Sequence, residues 1–205
     1  MLQEQEEYYG EYGPLLEQAM QGVMAELKTI LDGFTPDPEQ APFEHLISRV
    51  KSAESARKKL EQRGLPDDVQ SALQNLTDIL GIRVITHFIG DIYEILDRIR
   101  ESKAWRVEQV KDYIAAPKPN GYRSLHVILR IPFDAGGTDE IKTVGVEIQL
   151  RTIAMDCWAA LEHQMRYKKH VKNTTLISDE LKRCADEMAS ADLTMQTIRD
   201  VLKES

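Results

Sequence analysis

Two carboxylates, a run of cations and one aromatic loop hold most of the chemistry this sequence could do. Asp78 lies on or just past the last turn of a helical pattern, ahead of a β-branched run. Glu147 lies in residues 146–152 (VEIQLRT), which read as a strand. There Glu147, Gln149 and Arg151 share one face with period two, while Val146, Ile148 and Leu150 fill the other. Two carboxylates brought together across a sheet, with water and phosphate oxygens, make a Mg²⁺ site. One of them can also accept a proton from a hydroxyl nucleophile. Arg49, Lys51, Ser55, Lys59, Arg83 and Arg151 can neutralise or hydrogen-bond phosphates. Residues 49–63 (RVKSAESARKKLEQR) hold six cations against two acids, +4 in a chain of net charge −8. Lys51, Ser55 and Lys59 are four apart, so a helix there sets ammonium, hydroxyl and ammonium on one face. Taken alone, that stretch has a plainer reading as a solvated basic helix face.

The central feature is residues 111–126, KDYIAAPKPNGYRSLH. Pro117, Pro119, Asn120 and Gly121 break any helix or ladder. Tyr113, Lys118, Tyr122, Arg123, Ser124 and His126 crowd the same loop, between two runs that read as strands. A hairpin with a solvated tip needs no such crowding, and loops held by rigid elements concentrate binding groups. Tyr122 offers a ring face to a base, an interaction worth about 1–3 kcal/mol. The sequence has no GxxxxGK[ST], no GxGxxG and no HExxH, and no Cys–His pair at catalytic spacing. These parts favour phosphoryl or pyrophosphoryl transfer through metal and cations, without a covalent intermediate.

The elements that must position these groups follow from periodicity. Residues 1–13 are expected to be an acidic, frayed start. From Pro14, Leu16, Met20, Val23, Leu27, Ile30 and Phe34 recur at spacings of four and three and predict a helix. A Pro-rich loop follows, TPDPEQAP, then the basic helix, ended by Gly64 and Pro66. Asp67 or Asp68 caps the next helix, with Val69, Leu73, Leu76 and Leu80 on its apolar side. Residues 82–89 are a buried strand, 90–102 a helix, 105–114 and 125–131 strands around the loop, and 143–150 a further strand. FDAGGTDEIK at 133–142 is a polar hairpin loop. Residues 154–169 are helical with Trp158, Leu161 and Met165 expected to be buried, and 178–202 form a last helix with Leu181, Cys184, Met188, Ala191, Met195, Ile198 and Leu202 in a stripe. Trp105 and Trp158 are read as core. The expected fold is one α/β (α+β) domain, a mixed sheet flanked by helices with helical arms at both ends. The pI near 5.2 argues against a dedicated duplex-DNA or membrane-surface binder. Two cysteines without metal or disulfide spacing, and no apolar run long enough for a bilayer, lead to the expectation of a cytoplasmic protein.

RVKSAES (49–55), DILGIRV (78–84), KDYIAAPKPNGYRSLH and VEIQLRT, followed by WAALEHQMRYK, resemble the synthetase domain of the RelA/SpoT homologue family, in order from about residue 44 to 169. No adjacent His–Asp pair of the hydrolase kind is found, so the chain resembles the small alarmone synthetases. The resemblance implies a nucleotidyltransferase-like fold and transfer of the β,γ-pyrophosphate of ATP to the 3′-hydroxyl of GDP or GTP, giving ppGpp or pppGpp and AMP. Position by position it implies Arg49 and Arg83 around adenine, Lys51, Ser55 and Lys59 on the ATP phosphates, and Asp78 and Glu147 as Mg²⁺ ligands, with Glu147 the base. It also implies Tyr122 stacked on guanine. Gln149 is expected on the ATP side, and Lys118, His126 and Arg151 on the GDP/GTP side. The sequence departs from the family at Gln109-Val110-Lys111-Asp112, where many members have Arg-x-Lys-Asp, and this leaves the preference between GDP and GTP open.

Two other readings share these residues. One is a pyrophosphokinase acting on another acceptor, an adenine nucleotide or the 3′ end of tRNA. The other is a module that holds single-stranded RNA in the same basic groove, against which the net charge of −8 counts. The end helices carry seam-like stripes, and related small synthetases form homotetramers, so a homo-oligomer, a tetramer, is expected. Light scattering at micromolar concentration should report a multiple of the 23.4 kDa chain; a monomer alone would end this expectation.

Overall fold

The computed structural model describes residues 7–34, 41–134, 142–166 and 174–204. Residues 1–6 of the expected frayed start, most of TPDPEQAP, most of the 133–142 loop and the end of the 154–169 helix lie outside the described residues. Helix α1 is Tyr12–Asp32, followed by strand β1 (Phe43–Val50), α2 (Ala53–Arg63), α3 (Val69–Asn75), β2 (Leu80–Thr86) and α4 (Ile89–Glu101). Then come β3 (Arg106–Asp112), β4 (Leu125–Pro132), β5 (Thr143–Thr152), α5 (Ile153–Arg166) and α6 (Thr174–Lys203).

The five strands form one mixed sheet in the order β1-β2-β5-β4-β3. β2 and β5 are parallel; every other neighbouring pair is antiparallel. Register follows the two-sided pattern of β5. Val146, Ile148 and Leu150 pair with Leu80, Ile82 and Val84 on one side and with Leu129, Val127 and Leu125 on the other. All nine are buried. Helices α1 to α4 cover this apolar face, with Leu16 and Leu27, Leu60, Leu73, and Ile92, Ile95 and Ile99 in the same core. Fully burying one such side chain contributes about 1.5–3 kcal/mol. A slip of one residue in β5 would put Glu147, Gln149 and Arg151 into that core, so the register is strongly specified.

Local chemistry sets the boundaries. Ser52 caps α2 by accepting from the Ser55 N–H at 3.3 Å, and Gly64 closes it in the left-handed region at φ 65°. Asp68, not Asp67, caps α3 by accepting from the Ser71 N–H at 2.7 Å.

Several expectations change. Strand β1 was not legible, because as an edge strand it is only partly buried and shows no apolar–polar alternation. Arg49 therefore sits on a strand and Lys51 before the helix, so Lys51, Ser55 and Lys59 do not form one helical stripe. Helix α3 ends at Asn75, and Asp78 stands in the link to β2. Tyr9 and Tyr12 are buried in the core, so residues 7–13 are anchored and not a frayed start. The stripe Leu16, Met20, Val23 and Leu27 is spent on the chain's own core. Trp158 is buried as expected, but Leu161 and Met165 are each 45% exposed.

Gly145 on β5 has a packing role. A Cβ there would lie 2.6 Å from the Leu76 carbonyl oxygen and from the Thr77 Cα, both backbone atoms that cannot rotate away. Gly145→Ala should cost about 1–3 kcal/mol through overpacking and lower the melting temperature by roughly 3–10 °C. An unchanged thermal melt would show that the link carrying Asp78 is not held this tightly.

Candidate active site

Opposite the apolar core, the sheet presents polar residues. Register puts Arg49, Gly81 and Glu147 in one row, and Ile47, Arg83, Gln149, His126 and Lys111 in the next. Arg49, Lys51, Asp78, Arg83, Glu147 and Gln149 line one cleft of about 200 Å³, with Gly81 in its lining. Of the residues singled out from sequence, these six are brought together directly. Ser55 does not line the cleft; its hydroxyl accepts from the Ser52 hydroxyl at 2.8 Å at the start of α2. Lys59 reaches it through Asp78. Tyr122, His126 and Arg151 form an adjoining half, reached through Gln149 and Glu147.

Asp78 owes its place to the backbone around it. The Lys51 N–H donates to the Ile79 carbonyl at 2.8 Å, which ties the end of β1 to the link before β2. The Tyr9 hydroxyl donates to the Lys51 carbonyl at 2.8 Å. Asp78 Oδ2 then accepts from Lys51 Nζ at 2.7 Å and from Lys59 Nζ at 2.9 Å. Burial alone would push this carboxyl up; the two ammonium groups outweigh that and hold it below its ordinary value. Asp78 Oδ1 is buried and accepts no hydrogen bond from the described residues.

Glu147 accepts from Gln149 Nε2 at 2.6 Å and lies 3.5 Å from His126 Nδ1. Burial pushes it up, but the His126 and Gln149 contacts and the Lys59 charge bring it down to about 2. Gln149 Oε1 accepts from Arg151 Nη2 at 2.9 Å, and the same nitrogen donates to the Tyr122 hydroxyl at 2.8 Å. That hydroxyl also meets His126 Nε2 at 2.8 Å. Lys118 Nζ lies 4.7 Å from the Tyr122 ring centre and 4.6 Å from that of Tyr113. The groups read as acceptor-binding are thus paired with one another in this state.

Sequence reasoning missed Asp156 and helix α6, and named Ser124 only among the residues crowding the loop. Asp156, in the first turn of α5, takes Arg83 and Arg151 on one oxygen at 3.1 and 3.0 Å. A lone acid in a first helical turn is ordinarily a partner of the helix dipole, so its type gave no sign of this. Ser124 is fully buried, donates to the Leu150 carbonyl at 3.2 Å and accepts from Arg151 Nε at 3.4 Å. Helix α6 pins the central loop. Arg123 pairs with Asp186 at 3.1 Å, and Gly121, at φ 90°, leaves room for Ala185, whose Cβ would stand 2.6 Å from a Cβ at 121.

The arrangement can hold a polyphosphate and a cation. Among the described residues no group of three or more His, Cys, Asp or Glu could hold a metal ion by itself. Mg²⁺ asks for less, one or two carboxylates completed by water and phosphate oxygens. Asp78 and the ionised Glu147 both line the same cleft, and Asp78 keeps one buried oxygen without a partner among the described residues; this donor set fits that requirement. No helix among the described residues is long and apolar enough to cross a membrane.

Residues 48–172 match the family described as the region found in RelA / SpoT proteins. The chain is 44% identical over 145 residues to the GTP pyrophosphokinase YwaC of Bacillus subtilis, covering 71% of this chain and 68% of that one. It is 30% identical over 188 residues to the GTP pyrophosphokinase YjbM of the same organism, covering 92% and 87%. Among solved structures, small alarmone synthetase 1 from Bacillus subtilis bound to its product pppGpp superposes with a TM-score of 0.80 at 28% identity, over 95% of this chain and 97% of the other.

The low Glu147 value makes a pH prediction. A carboxyl with a lower pKa folded than unfolded binds fewer protons when folded. Its stabilisation is present above the unfolded value of 4.5 and is lost as pH falls toward 2. The loss is on the order of 3 kcal/mol at most. Denaturant melts of wild type between pH 5 and 2 should therefore fall more steeply than those of Glu147→Gln. Parallel curves would mean that Glu147 is not held in this network.

Proposed function

The chain belongs to the RelA/SpoT family, and from that membership and its cleft we propose that it is a small alarmone synthetase, transferring the β,γ-pyrophosphate of ATP to the 3′-hydroxyl of GDP or GTP. The 3′-oxygen bonds to the β-phosphorus of ATP, the bond from that phosphorus to the α–β bridging oxygen breaks, and AMP leaves with that oxygen. The products are ppGpp or pppGpp. The observation that supports this most is the opening of Asp78 and Glu147 on one cleft, beside Arg49, Lys51 and Arg83.

Roles follow from the chemistry of each group. Arg49 and Arg83 line the cleft, and their planar guanidiniums can stack on adenine. Lys51 and Lys59, now on Asp78, are the ammonium groups nearest the polyphosphate path and trade the carboxylate for phosphate oxygens. Ser55 adds a hydroxyl at the N-terminus of α2, and Gln149 orients Glu147. Tyr122 supplies the ring for guanine; Lys118, His126 and Arg151 surround it. Asp78 and Glu147 would hold Mg²⁺, which when bound neutralises charge building on the transferred group. Glu147 also takes the 3′-hydroxyl proton. A carboxyl near 2 is a poor acceptor; its low value comes first from His126, with Gln149 and Lys59 adding to it, so phosphate charge in the cleft and loosening of the His126 contact would raise it.

Assembly belongs to the same reading. On α6, Leu193, Met195, Ile198, Val201 and Leu202 are each half or more exposed, an apolar ridge suited to another copy in a homotetramer. A cytoplasmic setting fits the nucleotide substrates.

Thin-layer separation of products from labelled ATP with GDP, GTP, GMP, ATP or tRNA tests the reading. Label should appear in ppGpp or pppGpp. Glu147→Gln should lose about 10²–10⁴-fold from loss of the base, and further from loss of a metal ligand. Asp78→Asn should be partly restored by excess Mg²⁺ or Mn²⁺, whereas Glu147→Gln should resist rescue. Transfer to tRNA or ATP in place of guanine nucleotides would overturn the acceptor assignment, and an active Glu147→Gln would overturn the mechanism.

A further inference from the structure

We propose that Asp156 is a positioning residue that couples the donor and acceptor subsites by holding Arg83 and Arg151 on a single carboxylate oxygen. The inference rests on the proposed function, in which Arg83 serves ATP and Arg151 the guanine nucleotide.

Arg83 Nη1 and Arg151 Nη1 lie 3.1 and 3.0 Å from Asp156 Oδ1. The two arginines come from different strands, β2 and β5, and point the same way from the sheet. Two guanidiniums meeting at one oxygen repel each other. Burial and the Arg151 charge work against Arg83, and Asp156 works for it. Arg83 Nε is buried with no hydrogen-bond partner among the described residues, so its remaining anchor matters more. Arg151 side-chain exposure is only 6%, and its other contacts run to Ser124, Gln149 and Tyr122. Asp156 is itself held on the first turn of α5, and that helix starts straight after β5.

A carboxylate shared by two cations transmits what happens to either one. When an acceptor nucleotide draws charge interaction from Arg151, Asp156 is left more fully to Arg83 and fixes it where adenine is to stack. The reverse holds when ATP binds first, since coupling between two sites is reciprocal. Asp156 touches neither nucleotide in this scheme; it acts through the two arginines.

Calorimetry with α,β-methylene-ATP and GDP, each alone and in the presence of the other, reads the coupling directly. In wild type each nucleotide should tighten the other by roughly 5-fold or more, within the usual span of coupling energies. Asp156→Asn keeps the shape and removes the charge, and should bring that factor close to one while each nucleotide alone still binds. Asp156→Glu should restore part of it. A thermal melt of Asp156→Asn near that of wild type separates this effect from misfolding, which would weaken both ligands alone. Arg83→Ala should weaken the ATP analogue more than GDP and also abolish the coupling. An unchanged coupling factor in folded Asp156→Asn, or no coupling in wild type, overturns the inference. A wild type that binds both nucleotides with coupling but transfers no pyrophosphate overturns the functional reading and leaves this one standing. A wild type that binds neither overturns both.

Discussion

The cleft depends on β5 having one dry face and one polar face while lying in the middle of the sheet. A central strand has no free edge, so its side chains are crowded by neighbours on both sides. On the dry face this crowding makes the core. On the other it forces Glu147, Gln149 and Arg151, none of which can be left unpaired without a penalty of about 1–3 kcal/mol or more each, into mutual hydrogen bonds. The chain of contacts extends from His126 to Glu147, Gln149 and Arg151, and then to Tyr122 and Asp156. Apart from Ser55, every group proposed to act on nucleotides is either in this chain or beside it.

That self-pairing keeps the cleft charged without nucleotides. Asp78 is paired with Lys51 and Lys59, and Arg83 and Arg151 share the single charge of Asp156. Removing one partner from a partly buried pair leaves an uncompensated charge, so these groups favour exchange of one partner for another over simple release. Phosphate is suited to such an exchange, because it offers the lysines oxygens in place of the carboxylate. The arrangement also explains why one Asp78 oxygen has no partner among the described residues: both ammonium groups converge on the other oxygen.

The tyrosine loop is shaped from outside the sheet. Its internal turn is closed by the Gly121 N–H donating to the Lys118 carbonyl at 2.8 Å and the Lys118 N–H donating to the Tyr122 carbonyl at 3.1 Å. Its position comes from α6 through Ala185 and Asp186, and from Asn120 donating to Glu162 at 3.2 Å on α5. Helix α6 is in turn clamped to the end of β5 by Asp192 on Thr152 at 2.6 Å and to α4 by Arg199 on Asp91. Helix α6 therefore helps to position the tyrosine loop, although none of its residues was among the sequence-level candidates for the site.

The sequence by itself determined the elements whose patterns are periodic and buried on one side. The stripe of α1, the run of β2, the alternation of β5 and the turn chemistry of residues 117–121 are readable because each residue's role is set by near neighbours. The family motifs also named Asp78, Glu147, Arg83 and Tyr122. Tertiary structure alone decided what depends on residues far apart in the chain. It made β1 a strand, because pairing with β2 and not alternation stabilises an edge. It spent the α1 stripe on the core, leaving part of the α6 ridge open. It moved Asp78 off a helix and onto two lysines, and gave Asp156 two arginines from separate strands. Charges placed by packing take whichever opposite charge the fold brings within reach, and no local pattern records that choice.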